Sequence, residues 1–316
     1  MSVELFLLDP NREDLGISMQ KITPHLWFDK EAREAAGLYT SIFQDSKIKA
    51  STTLPNTPSG TVELVTVELL GLEFRLLSAG PFFKFTPAIS FLVACNKKEE
   101  VDALWRELAK NGSALMELGE YPFSERYGWT EDRYGLSWQV MFVGNREIKQ
   151  RITPTLMFVG DQCGKAEPAI DFYASVFHHA RVDHILRYGR DEEPDQEGTI
   201  KYAAFALEGE SFAAMDSARA HKFSFNEAIS FMVDCATQEE IDYYWTKLAA
   251  EGNEQQCGWL KDKYGLSWQI VPRVMGEMLK DKDAAKVARV TEAFLKMKRL
   301  DIAKLKEAYG QDKSAA

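Results

Sequence analysis

Little in this chain is available for redox or tight metal chemistry. Only four cysteines (Cys95, Cys163, Cys235 and Cys257) and five histidines are spread over 316 residues. No two cysteines have CxxC spacing, and two of them close apolar runs, SFLVAC and SFMVDC. Buried, reduced thiols are therefore expected rather than a disulfide framework or a zinc knuckle. A basic block is missing too. With 38 Lys and Arg against 48 Asp and Glu, the formal net charge is −10, which argues against nucleic acid or a membrane surface as partner. No apolar run reaches the ~18 residues of a membrane span. The first residues lack the charged region, apolar core and cleavage site of a secretory signal, so the cytoplasm is the expected location. There is no GxGxxG loop for a dinucleotide and no GxxxxGKS or GxxxxGKT loop for a triphosphate.

What is present is a repeat. Tyr134-Gly135-Leu136-Ser137-Trp138-Gln139 returns letter for letter as Tyr264 to Gln269, 130 residues later. Ile22-Thr23-Pro24 returns as Ile152-Thr153-Pro154 at the same spacing. Between these anchors Phe85 to Phe91 matches Phe225 to Phe231, and Glu99-Glu100-Val101-Asp102 with Trp105 matches Glu239-Glu240-Ile241-Asp242 with Trp245. Four matches in one order establish a tandem duplication. The divisions read from it are a leader at 1–19, one domain at 20–145, a second at 151–273, and a helical tail at 274–316. The copies differ in loops: SALMELGEYPFSERYG lengthens the first, and Gly189–Gly198 is inserted in the second.

Each copy holds two smaller units. ITPHLWF reads as a strand and is followed by a helix over Glu31–Phe43, with Ala35, Tyr39, Ile42 and Phe43 on one side. Runs rich in Thr, Val and Leu follow, broken by Pro55, Gly60 and Gly71. The pattern restarts at AISFLVAC. Asn96 with Glu99, and Thr237 with Glu240, resemble capping boxes. Val101, Leu104, Trp105 and Leu108 mark one helix face, and Gly112 and Gly252 stand where C′ residues are expected. The order is βαβββ, twice per copy. In the tail, Val287, Val290, Thr291, Phe294, Ile302 and Leu305 form an apolar stripe suited to packing on a domain.

This order, with the phrases ITPHLWFD, FKFTPAISFLVAC and DRYGLSWQV, resembles the PhnB-like branch of the vicinal oxygen chelate superfamily, which also contains glyoxalases, bleomycin-resistance proteins and dioxygenases. The resemblance covers about residues 20–272. It implies an α+β fold of two tandem glyoxalase-like domains. Each is expected to have two βαβββ modules forming a cupped, antiparallel-rich sheet with helices on the convex side. It also implies two repeats packed like a fused homodimer, hence a monomer with an internal pseudo-dimer, a true homodimer being the alternative. Some relatives carry a ubiquinone-methyltransferase label. No glycine-rich strand-to-helix turn for S-adenosylmethionine is seen, so methyl transfer is not expected.

The resemblance also places a site inside the cup, where superfamily enzymes hold a divalent ion on His, Gln or Glu from the first and last strands of each module. The matching positions here are Thr23 (with His25 further along the same face), Ser78, Ala88 with Ser90, and Gln139. In the second copy they are Thr153, Asp216, Ala228 with Ser230, and Gln269. Hydroxyls and amides make a weak site for a transition metal, so no cofactor is expected beyond a weakly bound divalent ion. Trp138/Gln139 and Trp268/Gln269 must point to opposite faces of their strands. Phe85, Phe225, Trp129 and Trp259 complete the candidates, as an apolar wall or as core. The expectation is a small molecule bound in the cup without a tight metal. The alternative is a metal-dependent glyoxalase or dioxygenase with a degenerate site in one or both repeats.

Overall fold

The computed structural model describes residues 20–310. The leader therefore lies outside the described residues, as do the last six positions of the tail. Module 1 contains β1 (Ile22–Phe28), α1 (Ala32–Ile42), β2 (Lys47–Thr57), β3 (Gly60–Leu69) and β4 (Leu72–Ser78). Module 2 contains β5 (Ile89–Cys95), α2 (Lys98–Leu108), β6 (Ser113–Tyr121), β7 (Ser124–Glu131) and β8 (Ser137–Phe142). The second copy repeats this. Module 3 has β9 (Ile152–Val159), α3 (Ala166–Val176), β10 (Arg181–Arg187), β11 (Ile200–Leu207) and β12 (Glu210–Ser217). Module 4 has β13 (Ile229–Cys235), α4 (Gln238–Leu248), β14 (Asn253–Glu254), β15 (Trp259–Lys261) and β16 (Ser267–Pro272). Helices α5 (Arg273–Met278), α6 (Ala284–Leu295) and α7 (Ile302–Gly310) follow.

The modules form two eight-stranded sheets, and each sheet takes one module from each copy. Sheet A runs β14-β15-β16-β13-β1-β4-β3-β2, and sheet B runs β10-β11-β12-β9-β5-β8-β7-β6. At the centre of A, β1 pairs antiparallel with β13; at the centre of B, β5 pairs antiparallel with β9. The α+β, cupped tandem architecture is the expected one. Which modules share a cup differs from the sequence expectation, because the two modules of one copy lie in different sheets.

Those two modules meet instead through their helix-side faces. Ala32, Ala35, Ala36 and Tyr39 recur at helical spacing on α1 and are buried. The Tyr39 hydroxyl donates to the Asp132 carboxylate at 2.6 Å, and Trp138 Nε1 donates to the same group at 2.9 Å. The Tyr134 and Leu136 amides complete its shell at 2.8 and 3.1 Å. The second copy reproduces every bond: Asp262 accepts from Tyr173, Trp268, Tyr264 and Leu266 at 2.8, 2.9, 2.8 and 3.1 Å. Burial pushes both carboxyls above their usual range, opposed by these donors. The repeated Tyr-Gly-Leu-Ser-Trp thus folds a tight turn, with Gly135 and Gly265 at φ of 82° and 85°, around a buried acid that ties α1 or α3 to the neighbouring module.

Three local expectations need correction. Asn96 does not cap α2; its amide donates to the carbonyls of Gly144 and Arg146. Thr237 does cap α4, accepting from the Glu240 amide. Gly112 and Gly252 are not the left-handed C′ residues, since Asn111 and Glu251 carry the positive φ. Glycine is required there because a Cβ would stand 2.0 Å from the Glu131 carbonyl oxygen, or 2.1 Å from that of Lys261.

Candidate functional site: two unequal cups

Strand alternation sends Ile22, Pro24, Leu26 and Phe28 to the helix side of β1, and Thr23, His25 and Trp27 into the cup of sheet A. Register then fixes their neighbours. One row crosses the whole cup: Thr66 opposite Arg75, Arg75 opposite His25, His25 opposite Ser230, Ser230 opposite Ser267, and Ser267 opposite Lys261. Gln269 lies one row away, opposite Met232, and Trp259 stands opposite Gln269. The first copy's Thr23 and His25 therefore share a cup with the second copy's Ser230, Trp259 and Gln269. The other candidates (Ser90, Trp129, Gln139 and Thr153) meet in the cup of sheet B.

Four candidates lie elsewhere. Ser78 is in register with Phe28, and Asp216 with Phe158, so both point to the helix side. There each receives the first amide of a helix, Ala32 to Ser78 Oγ and Ala166 to Asp216 Oδ1, both at 3.1 Å. Asp216 also accepts from Gly164 and Ile200. These side chains stabilise helix N-termini. Phe85 and Phe225 pack edge to face on Phe28 and Phe158 in the core. The buried Cys95 and Cys235 thiols are pushed up to about 12 by burial, as structural cysteines are.

In cup B the buried glutamine, serines and tyrosine of the floor bond to one another and to Trp129. The Tyr127 hydroxyl donates to Gln139 Oε1 at 2.7 Å, and Gln139 Nε2 donates to Ser90 Oγ at 2.7 Å. Trp129 Nε1 donates to Ser137 Oγ at 2.7 Å. The helices that contact sheet B in number, α2 and α3, lie on its other face.

Cup A differs. Gln269 Nε2 still donates to Ser230 Oγ at 2.9 Å. Trp259, the equivalent of Trp129, instead packs edge to face on His25 at 5.4 Å and on Trp27 at 6.0 Å. Ser267 Oγ is left without a partner, as are His25 Nδ1 and Arg75 Nε, all three buried and in one row. Only 3% of His25 is exposed. Burial, helped by the Arg75 charge, pulls its imidazole down to about 3, so it is neutral. The tail covers this cup. Val287, Val290, Phe294, Leu300 and Leu305 pack with Leu54, Val62 and Val271, and against Trp27, Leu77 and Met232. Gln238 holds the tail by bonds to Leu300 and Ile302, and an Arg299–Asp242 ion pair adds to this.

The row does not suit the divalent ion of the superfamily. It offers one imidazole, three hydroxyls, a guanidinium and an ammonium, where a first-row metal takes imidazoles and carboxylates together. Among the described residues no group of three or more His, Cys, Asp or Glu could hold a metal ion. Alternation alone could have found Arg75 and Ser267. Arg75 interrupts the strand LEFRLLS on the face opposite Phe74 and Leu76.

The model of the 3-demethylubiquinone-9 3-methyltransferase family matches residues 20–141 and again residues 150–271. The chain belongs to this family, in two tandem copies. The PhnB protein from Bacillus cereus is 39% identical over 39% of this chain and 100% of its own, with a TM-score of 0.37. A protein from Pseudomonas aeruginosa is 22% identical over 38% of this chain and 96% of its own, with a TM-score of 0.33. Glyoxalase I from Zea mays is 11% identical but spans 82% of this chain and 96% of its own at a TM-score of 0.53, a likeness of fold. Curated proteins give no match. The tandem chain thus carries the PhnB-like family sequence on the glyoxalase-like, vicinal oxygen chelate fold. No helix among the described residues is long and apolar enough to cross a membrane.

Proposed function

We propose that this protein binds a small molecule in the cup of sheet A, beneath the C-terminal helices, without a tightly held metal, and acts as a cytoplasmic monomer. The observation that carries this is the row of buried atoms without partners: His25 Nδ1, Arg75 Nε and Ser267 Oγ. Buried polar atoms are paired in native proteins except where a ligand, ion or water supplies the partner. Here they sit beside an aromatic wall of Trp27 and Trp259, with Phe83 edge to face on Trp27 at 5.1 Å. An apolar wall with a few convergent polar groups is the usual make-up of a small-molecule site. In cup B the corresponding positions are Ala213, Thr155, bonded to the Thr153 carbonyl, and Ser137, bonded to Trp129, and it is assigned no ligand.

Methyl transfer, which the family's name carries, is not part of this reading. In cup A, β1 passes to α1 through Asp29, Lys30 and Glu31, and β13 to α4 through Ala236 and Thr237. Neither is the glycine-rich turn that would cradle a nucleotide cofactor. Native mass spectrometry of gently purified protein tests the proposal. The expected spectrum is one chain plus an organic mass that is released on unfolding and reduced in Ser267→Val. A bare chain, together with no thermal stabilisation by any member of a metabolite library, would overturn it. A stoichiometric metal would move the metal-dependent alternative to first place.

A further inference from the structure

Resting on that reading of cup A, we propose that the ligand presents an oxyanion, a carboxylate or a phosphate, to Arg75, the guanidinium in the central row of that cup. The guanidinium is held in place from two sides. Nη1 donates to Thr66 Oγ1 at 2.7 Å, and Nη2 pairs with Glu73 at 2.8 Å. Neither bond uses Nε–H, which is buried and faces no acceptor. Next in the row stands His25, and beyond it the hydroxyls of Ser230 and Ser267.

The charges around Arg75 do not cancel it. Glu73 is shared with Lys49 at 2.7 Å, and Glu68 with Lys47 and Lys49 at 3.2 and 3.7 Å. Three cations therefore face two carboxylates. Asp234, two rows away, is paired with Arg273 at 3.2 Å, and Lys261, at the far end, with Glu227 at 2.9 Å. Lys47 and Lys49 are 64% and 40% exposed and screened by water, whereas the Arg75 side chain is only 24% exposed, so its charge is the least screened of the three. A guanidinium donor with hydroxyls beside it suits an oxyanion. Cup B has Ala213 in place of Arg75 and Thr155 in place of His25.

The test is titration of the full chain with sodium phosphate and, separately, sodium acetate, followed by tryptophan fluorescence, with Trp259→Phe to locate the signal. The wild type should bind at least one anion saturably. Arg75→Gln should weaken that binding by about 30-fold, the loss of one charge-assisted hydrogen bond, and Arg75→Lys should recover part of it. Phosphate alone or acetate alone would identify the oxyanion. Equal affinity in wild type and Arg75→Gln, with Arg75→Lys also unchanged, would overturn the assignment. If neither anion binds while native mass spectrometry finds a retained neutral molecule, cup A remains the ligand site and the oxyanion is wrong. If neither anion binds and nothing is retained, both fail.

Discussion

Across sheet A the central row reads Thr66, Arg75, His25, Ser230, Ser267, Lys261. At the equivalent positions sheet B reads Ala204, Ala213, Thr155, Ser90, Ser137, Glu131. Only the serines from the inner strands of modules 2 and 4 are common to both. One cup has a cation and an imidazole on its floor, polar atoms left without partners, and three helices above it. The other has neither cation nor imidazole in its row, and the buried Gln139, Ser90, Ser137 and Tyr127 bond within the sheet. On the helix side the two halves are nearly superimposable in chemistry, down to the four donors on Asp132 and Asp262. Duplication preserved the buried acid and its four donors in both copies, while the central rows of the two cups diverged.

That contrast can be broken at its symmetric part first. Replacing Asp132 by Ala strands two buried side-chain donors and two amides, and should cost about 4 kcal/mol in urea unfolding. Asp262→Ala should cost the same to within about 0.5 kcal/mol, the scatter normal for independent sites. A large inequality would mean the two helix layers are not equivalent. Next, Phe294→Ala removes the tail's aromatic from cup A and should cost about 3 kcal/mol. It should also raise acrylamide quenching of Trp259 while leaving Trp129 unchanged. Equal quenching of both tryptophans would show that the tail does not seal cup A. The smallest effect is a pH dependence. His25 has a folded-state pKa of about 3 against an ordinary 6.5. Its contribution to stability is therefore present above pH 6.5 and lost as pH falls, by about 2 kcal/mol at pH 5. His25→Asn should lack this slope between pH 7 and 5. An identical slope in the variant would show that the imidazole is not buried in its neutral form.

The duplication, the four βαβββ modules and the face of each strand were legible in the sequence. Exact repetition and two-residue alternation are local properties, readable without knowing what packs on what. Thr23 and His25 share the cup face of β1 for this reason, whereas alternation left open which of Trp138 and Gln139, or Trp268 and Gln269, faces the cup; the register gives it to the glutamines. Ser78 and Asp216 lie on the helix side, as unbroken alternation from Phe74 and Leu76, or from Phe212 and Ala214, requires. Ala32 and Ala166 show why a polar group is wanted there: each begins a helix with an open amide.

What only the tertiary structure decided is which modules share a cup. The edge of β1 could pair with β5 of its own copy or with β13 of the other, and the backbone hydrogen bonds would be the same in kind. Strand periodicity carries no information on that choice. It is settled by long-range packing: Tyr39 on Asp132, Tyr173 on Asp262, and the tail on the row between β4 and β16. The sequence by itself determined two like halves and the unlike residues in their cups; packing determined which modules share a cup and that the tail lies on sheet A.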